Sequence, residues 1–231
     1  ALTQVMIIGL PLLLAYYIKV DFKKVFNIKM PKVKHLIGAV VLWIGGYILV
    51  SISSQTLLNM FPQNMEVLEN LNQALYEDKF LINLLVIALM PAICEEMLFR
   101  GFIFTSFKSK KNANMAIIGS AILFGFMHID FIRIIPTGIL GVILAYVVYK
   151  TGSIFVAMLI HFINNGLAVL MMHYPKSNIS NVVEYANIYS PNFDIGKFAI
   201  LIVLSVILLT IGSILLKNNA KDDKEKIVNV N

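Results

Sequence analysis

Seven apolar stretches separated by short polar or basic segments set the pattern of this chain: residues 2–18, 35–52, 80–104, 114–129, 134–149, 153–172 and 198–216. About 20 mostly apolar residues are needed for a helix to cross the hydrocarbon layer. The pattern therefore predicts an all-α, polytopic transmembrane helical bundle of about seven spans. Residues 1–216 are expected to form a single helical domain without internal repeats, with residues 217–231 as a polar, disordered tail. Of the longer connections, 53–79 and 173–197, the first carries Phe61, Pro62, Leu68 and Leu71 and is expected to rest on the membrane surface.

Charge breaks the apolar pattern most sharply in the third stretch, where Glu95, Glu96 and Arg100 fall within six residues. A charged side chain near the bilayer centre costs about 2.5–3.5 kcal/mol even on lenient scales, so three together imply mutual pairing, a polar cavity and function. Two later stretches add His128 and His161. One polar site assembled from several helices follows.

With 58% hydrophobic residues, 14% charged residues and a mean hydropathy of +0.80 over 231 residues, the chain does not read as a soluble domain. The net charge of +6 is not a nucleic-acid footprint, because the lysines cluster between apolar spans. If segments 19–34, 105–113, 150–152 and 217–231 are cytoplasmic, they hold 14 of the 19 basic residues. The positive-inside bias then puts the carboxyl terminus in the cytoplasm. The opening stretch has neither a basic leader nor a clear small-residue cleavage site, so it is not expected to be a signal peptide. Cys94, the single cysteine, excludes an internal disulfide and a cysteine-rich metal site, and reads as a small buried apolar residue.

Residues four apart share a helix face, so Glu96 meets Arg100 while Glu95 lies about 100° away. Glu96 and Arg100 therefore read as a bracing ion pair. Glu95 has no charged partner on its own helix and must find one elsewhere or take up a proton. His161 and Asn165 share a face inside the span 153–172, and Phe124 stands one turn before His128. Asn164 and Asn165 could also tie helices together. His35 and His173 fall at span ends, where interfacial placement explains them.

These groups suit water attack on a carbonyl, with Glu95 and His128 activating water and with His161 and Asn165 donating to the oxyanion. The same groups allow another reading, in which Glu95, His128 and His161 hold a divalent metal such as zinc with one position open for water. Spacing leaves both open. No H-E-x-x-H or G-x-S-x-G motif occurs, and Ser120 lacks a nucleophile elbow. Simple antiparallel rods would leave Glu95 and His128 about 10 Å apart along the membrane normal. Their convergence requires either that 105–115 dips into the bilayer or that 127–134 is a buried turn.

The ordered trio Glu95-Glu96-x-x-x-Arg100, Phe124-x-x-x-His128 and His161-x-x-x-Asn165 resembles the CPBP group of intramembrane proteases. This group comprises the type II CAAX prenyl endopeptidases and bacterial relatives linked to bacteriocin processing or immunity, also called the Abi family. Phe99-Arg100-Gly101 and Gly152-Ser153-Ile154 add to the likeness, which runs from about Leu81 to Leu170, within a motif-bearing core at 80–172. The resemblance implies an intramembrane endopeptidase acting on a membrane protein or peptide. In it Glu95 and His128 activate water, His161 and Asn165 form the oxyanion site, and Glu96, Arg100 and Phe124 give structural support. Metal-dependent and metal-free forms are both described for such proteins, and the metal-free form, with no required cofactor, is the preferred expectation. The lysine, isoleucine and asparagine richness with only two arginines points to an AT-rich bacterial genome, hence to a bacterial plasma membrane. The rival expectations are a non-catalytic immunity or scaffold protein, and a transporter or proton relay.

Overall fold

Each apolar stretch forms a helix in the computed structural model, which describes residues 2–62, 79–108, 112–173 and 195–217. In chain order these are α1 (Leu2–Tyr17), a single turn α2 (Phe22–Val25), α3 (Val33–Met60), α4 (Phe80–Lys108), α5 (Ala113–Phe126), α6 (Phe131–Thr151), α7 (Ile154–His173) and α8 (Ile195–Leu215). No strand occurs among the described residues. By length and composition α3, α4, α6, α7 and α8 can cross a membrane, while Met6–Tyr17 of α1 and the whole of α5 are shorter apolar helices. The expectations for Leu68, Leu71 and the tail lie outside the described residues.

Local chemistry sets the helix ends. Asp21 accepts from the Lys23 and Lys24 amides at the start of α2, Asn112 from the Met115 amide at α5, and Asp130 from the Ile132 amide at α6. Gly152, with φ of 67°, ends α6 in the left-handed region and leaves only two residues before α7, so these helices are antiparallel neighbours. Helix α3 runs eight residues past its expected end at 52. There Ser53 and Thr56 donate back to the Val50 and Ile52 carbonyls, so the hydroxyls find partners within the helix itself.

Small residues let helices approach closely, as expected where lipid supplies no hydrophobic drive between them. A Cβ on Gly212 of α8 would lie 2.5 Å from Leu42 Cβ of α3, and one on Gly38 would lie 2.9 Å from Leu215 Cβ. Ser205 of α8 donates to the Gly45 carbonyl of α3 at 2.8 Å. Leu42 and Trp43 of α3 also join Leu140, Ile143, Leu144 and Val147 of α6 and Ile160 of α7 in the buried core. Exposed apolar side chains such as Ile200, Val203, Ile207 and Ile214 leave α8 with an outward face suited to lipid.

Helix α4 changes pitch twice. Leu84–Leu89 and Met97–Ile103 are π-helical, flanking an α-helical piece, Met90–Glu96, that carries both glutamates. Such π segments concentrate at functional sites. Asn27, in the loop after α2, holds the second one: its amide nitrogen lies 3.1 Å from both the Arg100 carbonyl and the Thr105 hydroxyl, and its own carbonyl accepts from the Ile154 amide.

His35 stands at a span end, in the first turn of α3, and is 4% exposed there. One expectation is corrected: the turn after α5 is not buried, since Ile129 is 90% exposed with φ of 58°, and α6 has begun by Phe131. Residues 109–111 of the alternative segment lie outside the described residues.

Candidate active site

The ion pair expected from the four-residue spacing is present, and it is the hub of the site. Arg100 Nη1 donates to Glu96 Oε1 at 2.9 Å, with both side chains fully buried. Arg100 Nη2 reaches the Gly141 carbonyl of α6 at 3.0 Å. The guanidinium also lies over the Phe124 ring of α5, 4.3 Å from its centroid. One cation thus links α4, α5 and α6 and is compensated by a carboxylate, a carbonyl and a ring face.

His161 joins through the same oxygen, its Nδ1 standing 2.9 Å from Glu96 Oε1. A carboxylate oxygen accepts, so Nδ1 carries the proton and Nε2 of the neutral ring is left as an acceptor. This geometry bears on the oxyanion role, because donation from Nε2 then takes the imidazolium form. The Phe124 ring packs edge-on against His161 at 5.7 Å, His128 at 5.2 Å and Phe99 at 5.1 Å between centroids. Phe124 therefore touches members of all the motif groups.

His128 and Glu95 do not hydrogen-bond each other. His128 Nδ1 is 3.0 Å from the Phe124 carbonyl, one turn back on its own helix, which again fixes the proton on Nδ1 and leaves Nε2 as acceptor in the neutral ring. Glu95 is 9% exposed, and its Oε1 accepts from the side-chain amide of Gln4 in α1 at 3.0 Å. The partner that Glu95 needed thus comes from the first helix. Sequence reasoning missed Gln4, although an amide near the start of an otherwise apolar helix was the available signal.

Asn165 does not reach Glu96 or Arg100. Its Nδ2 donates to the Ile87 carbonyl of α4 at 3.0 Å, its Oδ1 accepts from Asn164, and Asn164 accepts from Trp43 Nε1 of α3. Ile87 belongs to the first π segment, so the first of these bonds ties α7 to α4 where the pitch of α4 changes. The second Asn165 N–H remains for another acceptor.

The metal-ligand reading of Glu95, His128 and His161 does not fit this arrangement. Among the described residues no three His, Cys, Asp or Glu side chains are grouped to hold an ion, and these three take separate partners. Cys94 is buried as expected.

Residues 77–167, which contain the whole cluster except Gln4 and Trp43, match the family model of type II CAAX prenyl endopeptidase Rce1-like proteins. A curated relative from Bacillus subtilis (strain 168), "Putative membrane peptidase YdiL", is 28% identical over 95 residues, covering 41% of this chain and 39% of that protein. The match therefore spans about two fifths of either length. No solved structure matches the chain significantly. Several long apolar helices and this likeness together identify an integral membrane protein. The polar core of the bundle is thus similar to the Rce1-like type II CAAX prenyl endopeptidases, as the three motifs implied.

Proposed function

We propose that the chain is an intramembrane endopeptidase that hydrolyses a peptide bond in a membrane-associated protein or peptide. The carrying observation is the buried Glu96–Arg100–His161 cluster packed on Phe124, within the stretch that matches the family. A fold needs no such costly group of charges to hold apolar helices together, whereas an active site does. In this reading Glu95 Oε2, which has no hydrogen bond among the described residues, and His128 Nε2 accept the proton of the attacking water. Asn165, through its second N–H, and the imidazolium form of His161 stabilise the oxyanion. Glu96 orients His161 as the third member of a triad orients its histidine. The reaction is proposed to run without a metal, in a bacterial plasma membrane, with the carboxyl terminus cytoplasmic.

In a purified assay on a membrane peptide substrate, Glu95→Ala and His128→Ala are each expected to abolish cleavage while the helical circular dichroism spectrum is kept. Cleavage by the parent is expected to survive a zinc chelator. Parental rates in both variants overturn the assignment.

The separate hydrogen bonds of Glu95 and His128 favour a second reading, a non-catalytic membrane partner that uses the same fold. In cells, full function of a Glu95→Gln, His128→Gln double variant supports that reading over the protease.

A further inference from the structure

We propose that the groove between α6 and α8 is a binding site for an anionic glycerophospholipid, with the phosphate held by Lys150 and Lys217. The groove encloses about 340 Å³. It lies outside the Glu96 cluster, and the proposal stands independently of the protease reading. Its walls are graded. At one end are Lys150 of α6, in the last turn before Gly152, and Lys217, just beyond the end of α8. At the other is Val206, eleven residues before Lys217 and so about 16 Å away along α8. Ser213 and Leu209 lie between. A lipid has the same grading, from a charged phosphate to an acyl chain, over a similar length.

The cationic end is built rather than scattered. Lys34, at the start of α3, donates to the Lys217 backbone carbonyl at 3.1 Å, which adds a third cation beside the groove mouth. Lys150 Nζ stands 5.4 Å from the Tyr146 ring centroid, and Tyr146 lines the same groove. The Thr210 hydroxyl donates to the Val206 carbonyl, so it offers an incoming phosphate no proton. Ser213 makes no hydrogen bond among the described residues, and its hydroxyl can donate beside the two ammonium groups. Among the described residues no carboxylate lines the groove, so its charge there complements an anion and favours a headgroup with net negative charge over a zwitterionic one.

The test is lipid retention by the full chain, reconstituted in phosphatidylcholine nanodiscs and titrated with phosphatidylglycerol, with native mass spectrometry as the readout. The parent is expected to retain phosphatidylglycerol in preference to phosphatidylcholine. Lys150→Gln with Lys217→Gln should weaken that retention about thirtyfold, on the scale of two basic residues near an anionic surface. Lys19→Gln with Lys23→Gln, an equal charge change elsewhere, should leave it in place. Leu209→Trp, which fills the groove without changing charge, should also reduce it. Equal retention of the two lipids by the parent overturns the proposal without need of any variant. So does undiminished retention in the groove variants, or an equal loss in the Lys19, Lys23 control.

Discussion

Removing the Glu96 carboxylate should be among the most damaging single changes in this protein, and the structure gives the scale. Glu96 Oε1 accepts from both Arg100 Nη1 and His161 Nδ1 at 2.9 Å, and neither Glu96 nor Arg100 is exposed at all. In Glu96→Met the guanidinium stays buried and charged, with one carbonyl, that of Gly141, and the Phe124 ring as its remaining neighbours. Breaking a buried pair this way costs about 3–5 kcal/mol. That is roughly two to four orders of magnitude in the folding equilibrium, at about 1.4 kcal/mol per tenfold. Arg100→Met should cost nearly as much, because Glu96 would keep only the imidazole. The double variant Glu96→Met, Arg100→Met removes both charges and should be less destabilised than either single change, since apolar side chains of similar volume often replace buried pairs at little cost. Reversible unfolding in mixed micelles with increasing dodecyl sulfate, followed by circular dichroism, measures all three. Single losses under about 1 kcal/mol, or a double loss equal to the sum of the singles, refute the reasoning that the pair is a coupled buried unit.

Gln4→Leu leaves Glu95 Oε1 without its donor and should lower cleavage about tenfold or more, since a hydrogen bond to a charged group is worth about 1.5–3 kcal/mol. An unchanged kcat/KM contradicts a positioning role for Gln4. Asn165→Ala should cost about 1 kcal/mol of stability through the lost bond to the Ile87 carbonyl. An unchanged midpoint in micellar unfolding contradicts that contribution. Gly212→Ala puts a methyl 2.5–2.7 Å from Leu42 backbone and side-chain atoms and should destabilise the α3–α8 contact by about 1–3 kcal/mol, read as a lower melting temperature in detergent.

The helices and the Glu96–Arg100 pair were legible in the sequence because both depend on short-range periodicity. Hydropathy located every stretch, and a spacing of four put carboxylate and guanidinium on one face. The rest depends on separations no local rule reaches. His161 meets Glu96 across 65 positions and Gln4 meets Glu95 across 91, so those bonds follow from how the helices pack. The pairing of His128 with Glu95 came from their chemistry and not from helix geometry, since uniform rods hold the two about 10 Å apart along the membrane normal. In the structure they take separate hydrogen bonds, and Phe124, one turn earlier, is the residue of α5 that reaches Arg100 and His161. The two π segments of α4 could not be read from apolar residues that fit either pitch. Pro91, two residues past the first of them, was the visible clue, since it has no N–H to give to the helical ladder.

The glycine-lined contact between α3 and α8 imposes an order on biogenesis. Ser205 bonds to Gly45 across 160 residues of chain. At about 5–20 residues per second, roughly 8–32 s of translation separate the emergence of the two partners. Throughout that interval the notched face of α3 is inserted without its mate, so lipid tails or an insertase must occupy the channel that Gly38 and Gly45 leave open. Ribosome stalling between the two helices should therefore yield a nascent bundle whose α3 can be cross-linked to its surroundings, and release of α8 should extinguish that labelling.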